Sequence, residues 1–120
     1  MGTIRNRMVI VHHFNRNIIE MMRKDAIEHF QKLVLEDDTD TNYNVSECMV
    51  SPILSSPING EFSFVVMGDC SKIGWKTSEL FERGRSEWVR RWRESDDSYL
   101  VLVADFGEDY DAFIESETLD

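Results

Sequence analysis

Residues 51–75, SPILSSPINGEFSFVVMGDCSKIGW, decide how the chain is read. Asn59-Gly60 is the pair that tight hairpin turns favour, because both central residues of such a turn need a left-handed backbone. The run Phe62 to Met67 that follows is aromatic and β-branched, which suits a strand. On the other side of the turn, Val45 to Leu54 reads as its partner strand. Pro52 cannot donate a ladder hydrogen bond, so this partner is assigned to a sheet edge. Gly68 to Lys76 reads as a polar loop. The stretch is thus the middle hairpin of a small domain.

Working toward the N-terminus, Met8-Val9-Ile10-Val11 is a continuous apolar run that predicts a central strand buried on both faces. Asn15 or Asn17 can cap the helix that follows, Asn17 with Glu20 three residues on resembling a capping box. Ile19, Met22, Ala26, Phe30 and Leu33 recur at helical spacing, and the helix is expected to run to about Leu35 and stop in the polar run 36–42.

Toward the C-terminus, Thr77 or Ser78 is expected to cap a second helix with Phe81, Gly84 or Arg85, Trp88 and Trp92 on one face. Arg90, Arg91 and Arg93 fall in its last turns, where the helix dipole favours cations. Tyr99 to Phe106 reads as the last strand. Beyond Gly107 the acidic segment frays, or docks through Tyr110, Phe113 and Ile114 as a short helix.

The resulting order, βαββαβ, predicts an α+β, ferredoxin-like domain over residues 1–107 with an acidic C-terminal tail at 108–120. Its four-stranded antiparallel sheet has the order 4-1-3-2 and both helices on one face. The uncovered face is expected to carry part of Val45, Cys48, Val50, Phe62, Phe64 and Val66, an apolar patch that a homodimer would hide.

The 120 residues make one domain, and 42% apolar content with seven Phe, three Trp and three Tyr supports a packed core. With 23 acids against 13 bases the net charge is −10, which argues against direct nucleic-acid binding, since phosphates require a basic face. The charge is unevenly placed: a basic stretch from Lys72 to Arg93 is followed by ten acids and no base from Glu94 onward. Such an acidic end either solvates, mimics nucleic-acid phosphates, or shields the chain's own basic helix.

Cys48 and Cys70 do not form a disulfide framework or a metal-ligand spacing, so a reducing, cytoplasmic setting is expected, with no metal and no cofactor. The apolar run near the start is too short for a signal-peptide core or a membrane span, and no membrane partner is expected. Asn44-Val45-Ser46 matches a glycosylation acceptor, without consequence in that setting.

Several constellations could carry chemistry. His12 and His13, followed by Asn15 and Asn17, would lie near Ser55, Ser56, Asn59 and the Arg90 to Arg93 cluster, a polar end suited to a carboxylate or phosphate. Only one histidine can contribute, because adjacent strand residues point to opposite faces. The plainer reading is a strand that ends in solvated histidines, as no third catalytic partner is evident and no catalytic residue is assigned.

Cys70 beside Lys72 could have a lowered pKa, yet the topology holds it a strand length from the histidines. Cys48 is small core filler. Asp38 to Asn42 starts like a calcium loop but lacks its glycine and its bidentate acid. Asp105-Phe106-Gly107 spells a kinase triplet without any companion motif. Trp88 and Trp92 read as core; Trp75 reads as a loop residue folded over the core edge or, more sharply, as an exposed recognition anchor.

The central segment resembles a family of short, uncharacterised bacteriophage and prophage proteins. The residues that carry the likeness are Ser51-Pro52, Ser56-Pro57, Asn59-Gly60, Ser63-Phe64, Asp69, Ser71-Lys72 and Gly74-Trp75, preceded by Val9-Ile10-Val11-His12-His13. The family pattern is D-G-S-K-x-G-W, and Cys70 in the glycine position implies that no left-handed residue is required there. The resemblance implies a phage-type origin and no activity.

The combined expectation is a non-enzymatic accessory or regulatory protein that binds a host or phage protein. His12, His13, Asn15, Asn17, Ser55, Asn59, Trp75 and Arg90 are its candidate ligand or partner contacts. The alternatives are a small ligand-binding domain or enzyme with an anion pocket near His12/His13, and an acidic nucleic-acid mimic.

Overall fold

The computed structural model describes residues 4–37, 42–108 and 110–115. The expected calcium-like run lies outside these residues except for Asn42. The chain forms β1 (Arg5–His13), α1 (Arg16–Glu36), α2 (Val45–Cys48), β2 (Leu54–Ser55), β3 (Phe62–Val66), α3 (Lys76–Arg93), β4 (Leu100–Gly107) and β5 (Phe113–Ile114). The strands make one antiparallel sheet in the order β2-β3-β1-β4-β5, and the helices pack on one side of it. The protein is therefore α+β, with five strands in place of the expected four. The arrangement β4-β1-β3-β2 is kept, and β5 extends it beyond β4.

Local chemistry accounts for most elements. Asn15 is the cap of α1, its side chain accepting the Ile18 N–H at 3.1 Å, which satisfies one of the helix's free donors. Asn17 is not the cap; it sits exposed in the first turn, and Glu20 pairs with Arg16 instead. Ile19, Met22, Ala26, Phe30 and Leu33 are all buried, as their spacing requires. On α3 the cap position is Trp75 rather than Thr77 or Ser78. Thr77 turns its hydroxyl to the Asp37 carboxylate, which tethers the two helix ends. At Gly84 the backbones of α1 and α3 come close enough that a Cβ would overlap the Leu33 methyl groups.

The expected edge strand at Val45 to Leu54 is broken up. The side chain of Gln31 on α1 donates to the Tyr43 carbonyl at 2.8 Å and accepts from the Val45 N–H at 3.0 Å. That supplies an acceptor for a free N–H at the start of a helical turn, so the four residues of α2 coil and Val45 enters the core. Pairing with β3 resumes at Val50, which bridges Val66, and again at Leu54–Ser55 after the interruption at Pro52. Asn59 and Gly60 take φ of 73° and 63°, the paired left-handed conformation expected of the turn.

The core lies between the sheet and the helices, built on Val9, Val11, Phe64, Val66, Val101 and Val103 from the strands and on Phe30, Phe81, Trp88 and Trp92 from the helices. β1 is central but buried on one face only: Val9 and Val11 are inside, whereas Met8 and Ile10 are half-buried on the far face. After Gly107 the chain adds a strand rather than a helix, with Ala104 opposite Ile114 and Asp105 opposite Phe113.

Candidate functional site

The strand register assigns the side chains of the uncovered face. Ile10 stands opposite Leu102 on one side and Val65 on the other, Met8 opposite Ala104, and Ala104 opposite Ile114. These positions alternate with the buried ones, because successive strand residues point to opposite faces. The patch expected from Val45, Val50, Phe64 and Val66 is therefore corrected: those four are buried core, Phe62 packs against the core, and Cys48 lies exposed on α2. The face is nevertheless apolar. Leu54 is 70% exposed and Ile114 55%, with Met67 and Phe106 also exposed. Among the described strand positions on this face, His12 is the sole titratable side chain. A cleft between α2 and β3, lined by Met8, Met49, Pro52, Val65 and Met67 together with Glu47 and Ser51, borders this surface at one edge.

At one end of the face the two histidines separate as their adjacency requires. His13 points to the helix side and is buried, its Nε2 2.7 Å from the Asp97 carbonyl while Nδ1 accepts the Asn15 N–H at 2.9 Å. A carbonyl can only accept, so Nε2 carries the proton, and both nitrogens are committed to holding loops. His12 lies on the open side between Ser63 (Nδ1 to Oγ, 2.5 Å) and Glu61 (Nε2 to Oε1, 2.6 Å). A carboxylate accepts, so the Nε2 proton of His12 points at Glu61, and Nδ1 faces the Ser63 hydroxyl. Phe14 and Tyr99 meet edge to face at 5.5 Å beside this pair, both exposed, and give the rim an aromatic lip.

The remaining candidates do not gather there. Asn15 is used in capping and Asn17 is solvated. Ser55 sits on β2 opposite Phe62, and Asn59 is at the turn. Arg90 faces a groove between α3 and β4, away from the histidines. Trp75 is 54% exposed at the start of α3, with the Lys72 ammonium 5.9 Å from its ring centre, so it does not fold over the core edge. An anion pocket built from the histidines, Asn17 and a helix arginine is not what these side chains form.

Cys70 lies at the other end of the sheet, where Ile4 bridges Lys72, roughly 25 Å from His12 by strand rise. Its φ of 60° is left-handed, contrary to the expectation drawn from its departure from glycine. Burial raises the thiol pKa, Asp69 raises it further, and Arg85 opposes both, so the expected lowering is also reversed.

Near that end, Asp105 is fully buried on the helix side of β4. Arg5 donates to its Oδ2 at 2.8 and 3.2 Å, Tyr110 donates to Oδ1 at 2.5 Å, and Arg7 approaches at 3.3 Å. Burial alone would raise the pKa of Asp105; the hydrogen bonds from Arg5 and Tyr110, with the Arg5 charge, outweigh it and hold the carboxyl below its ordinary value. Glu82 of α3 closes the cluster against Arg5 and Arg7.

Sequence reasoning missed Glu61 and Ser63 as the partners of His12, and Ile10, Leu102 and Ala104 as the open face. The strict alternation of Val101, Val103 and Asp105 with Leu102, Ala104 and Phe106 was the available signal for that face. No protein-family model, no curated protein and no solved structure matches the chain. Among the described residues, no helix is long and apolar enough to cross a membrane.

Proposed function

We propose that this chain is a small non-enzymatic interaction protein, of the phage accessory type that its loop motif resembles. In this reading it has a ferredoxin-like core and self-associates through the open face of its sheet. The supporting observation is an apolar surface, centred on Ile10 and Leu102 with the carboxylates of Glu61 and Glu47 at its margins, on a chain of net charge −10. Two such chains repel wherever their acidic surfaces meet, and the open face is where that repulsion is least. A second copy is therefore a suitable occupant. The edges serve less well, since β2 and β5 are two residues each and offer few ladder bonds.

Strands about 4.8 Å apart with a rise near 3.3 Å per residue give four strands a contact area on the order of 500 Å² per partner. Interfaces of that size belong to transient complexes, so the association is reversible and concentration-dependent.

Sedimentation velocity over a wide concentration range tests the reading. The native chain shifts from monomer to dimer, and Ile10→Lys and Leu102→Glu remain monomeric with unchanged circular dichroism. A native chain that stays monomeric throughout, or variants that dimerise as well as it does, overturns it.

A further inference from the structure

A second feature lies on the helix side of the sheet, independent of the open face. Between α3 and β4 runs a groove lined by Arg7, Arg85, Arg90, Arg93, Ser86 and Glu115. Its cavity is about 70 Å³, where one water needs about 10–15 Å³ on the same measure, so the space accommodates one compact oxyanion.

The charges around it do not balance locally. Arg85 is only 5% exposed, its Nε is buried with no hydrogen-bond partner among the described residues, and its nearest carboxylate, Asp69, is 3.7 Å away. A buried guanidinium left in that state is costly, and an anion in the groove relieves it. Arg90 makes no ion pair among the described residues. Arg93 places its Nε and Nη2 on the neutral Val101 carbonyl, at 3.1 and 2.9 Å. Asp69, Glu82 and Asp105 engage Arg85 and Arg7 from other sides and do not line the cavity.

The one carboxylate that does line it belongs to Glu115, which lies 2.6 Å from both Nε and Nη2 of Arg7. Glu115 is delivered by β5, a two-residue strand whose Phe113 and Ile114 are exposed, together with its own N–H bond to the Val103 carbonyl at 2.8 Å. So short an attachment opens readily.

We propose that the arginine groove binds a phosphate dianion, free or as a small phosphate monoester, and that Glu115 is a built-in competitor for Arg7. Guanidinium forks match the tetrahedral oxygens of phosphate, and a dianion compensates four cations better than the single carboxylate already present. Glu115 thereby holds Arg7 at the edge of the groove until a stronger anion displaces it.

The test is a two-dimensional amide NMR titration of the full chain with inorganic phosphate, then with glycerol phosphate, chloride holding the ionic strength constant. Saturable shifts at Arg85, Ser86 and Glu115 are expected. Removing one facing charge changes affinity roughly tenfold: Arg90→Gln, which deletes a cation, weakens binding, and Glu115→Gln, which deletes the competing anion, tightens it. Arg90 is exposed, so its replacement leaves folding intact, whereas replacing Arg85 could unfold the chain. Saturation by either compound supports the site; inorganic phosphate alone identifies the free ion as ligand, and both compounds identify the phosphoryl group. Non-saturating shifts with both, or an affinity indifferent to both substitutions, overturns the proposal.

Discussion

Tyr110 donates its hydroxyl to the fully buried Asp105 carboxylate at 2.5 Å, five residues back along the chain. The bond anchors the segment after Gly107 and completes the shell that keeps an ionised carboxylate inside the protein. Tyr110→Phe removes the donor and leaves one lone-pair site of a buried charge unmet, at a cost of about 2 kcal/mol. Urea unfolding measures the loss, and amide exchange at Phe113 to Glu115 should accelerate more than exchange in β1.

The same pair fixes two limbs of a pH–stability profile. Burial, the hydrogen bond to Asp105 and the Asp105 charge push the Tyr110 pKa up to about 12 from an ordinary value of 10.0. A folded pKa above the unfolded one contributes stability below pH 10 that disappears between pH 10 and about 12. Asp105 is shifted the opposite way, so its contribution is present above the ordinary carboxylate pKa near 4 and is lost as the pH falls through the lower folded value. Urea midpoints across the pH range should fall at both ends, and Tyr110→Phe should lose the part of the alkaline limb that its phenol supplies.

Asp25 of α1 is the acceptor for two indoles at once, from Trp88 at 2.9 Å and Trp92 at 2.8 Å. Asp25→Ala strands two N–H donors in the contact between α1 and α3 and should destabilise by about 2 to 3 kcal/mol. Asp25→Asn keeps an acceptor and should cost less than half of that. The Arg91 pair with Asp25 is largely solvated and adds little to either figure. Denaturant titration followed by tryptophan fluorescence distinguishes the two variants.

At Cys70 the left-handed φ of 60° carries a steric cost of about 1 to 2 kcal/mol for a residue with a Cβ. Glycine removes it but gains about 0.5 to 1 kcal/mol of unfolded-chain freedom, so Cys70→Gly should stabilise by roughly 0.5 kcal/mol. Cys70→Val, β-branched in the same conformation, should destabilise by about 1 kcal/mol or more. Paired thermal melts decide the signs.

Much of this was legible before any coordinates. The buried stripe of α1, the Asn59-Gly60 turn and the central position of β1 all follow from spacing and side-chain chemistry within a few residues of each other; Asn15 and Asn17 are both eligible caps, and the structure uses Asn15. The split of the two histidines onto opposite faces follows from strand geometry alone.

The site was less legible, because its parts are far apart in sequence. His12 meets Glu61 and Ser63 only through the register of β1 against β3, and Glu115 reaches Arg7 only because β5 adds itself to β4. The strand expected at Val45 failed for a similar reason, since a side chain from α1 chose between two backbone conformations that the local residues tolerate equally.

By itself the sequence determined the phase of each main helix and strand, since apolar spacing and capping chemistry act over single turns and pleats. Tertiary structure decided which face of the sheet stays open, which acids neutralise which arginines, and where a guanidinium is buried with one nitrogen, Nε of Arg85, lacking a hydrogen-bond partner among the described residues. Those outcomes depend on pairings across as many as 108 residues of chain, where register and packing, rather than local preference, fix the neighbours.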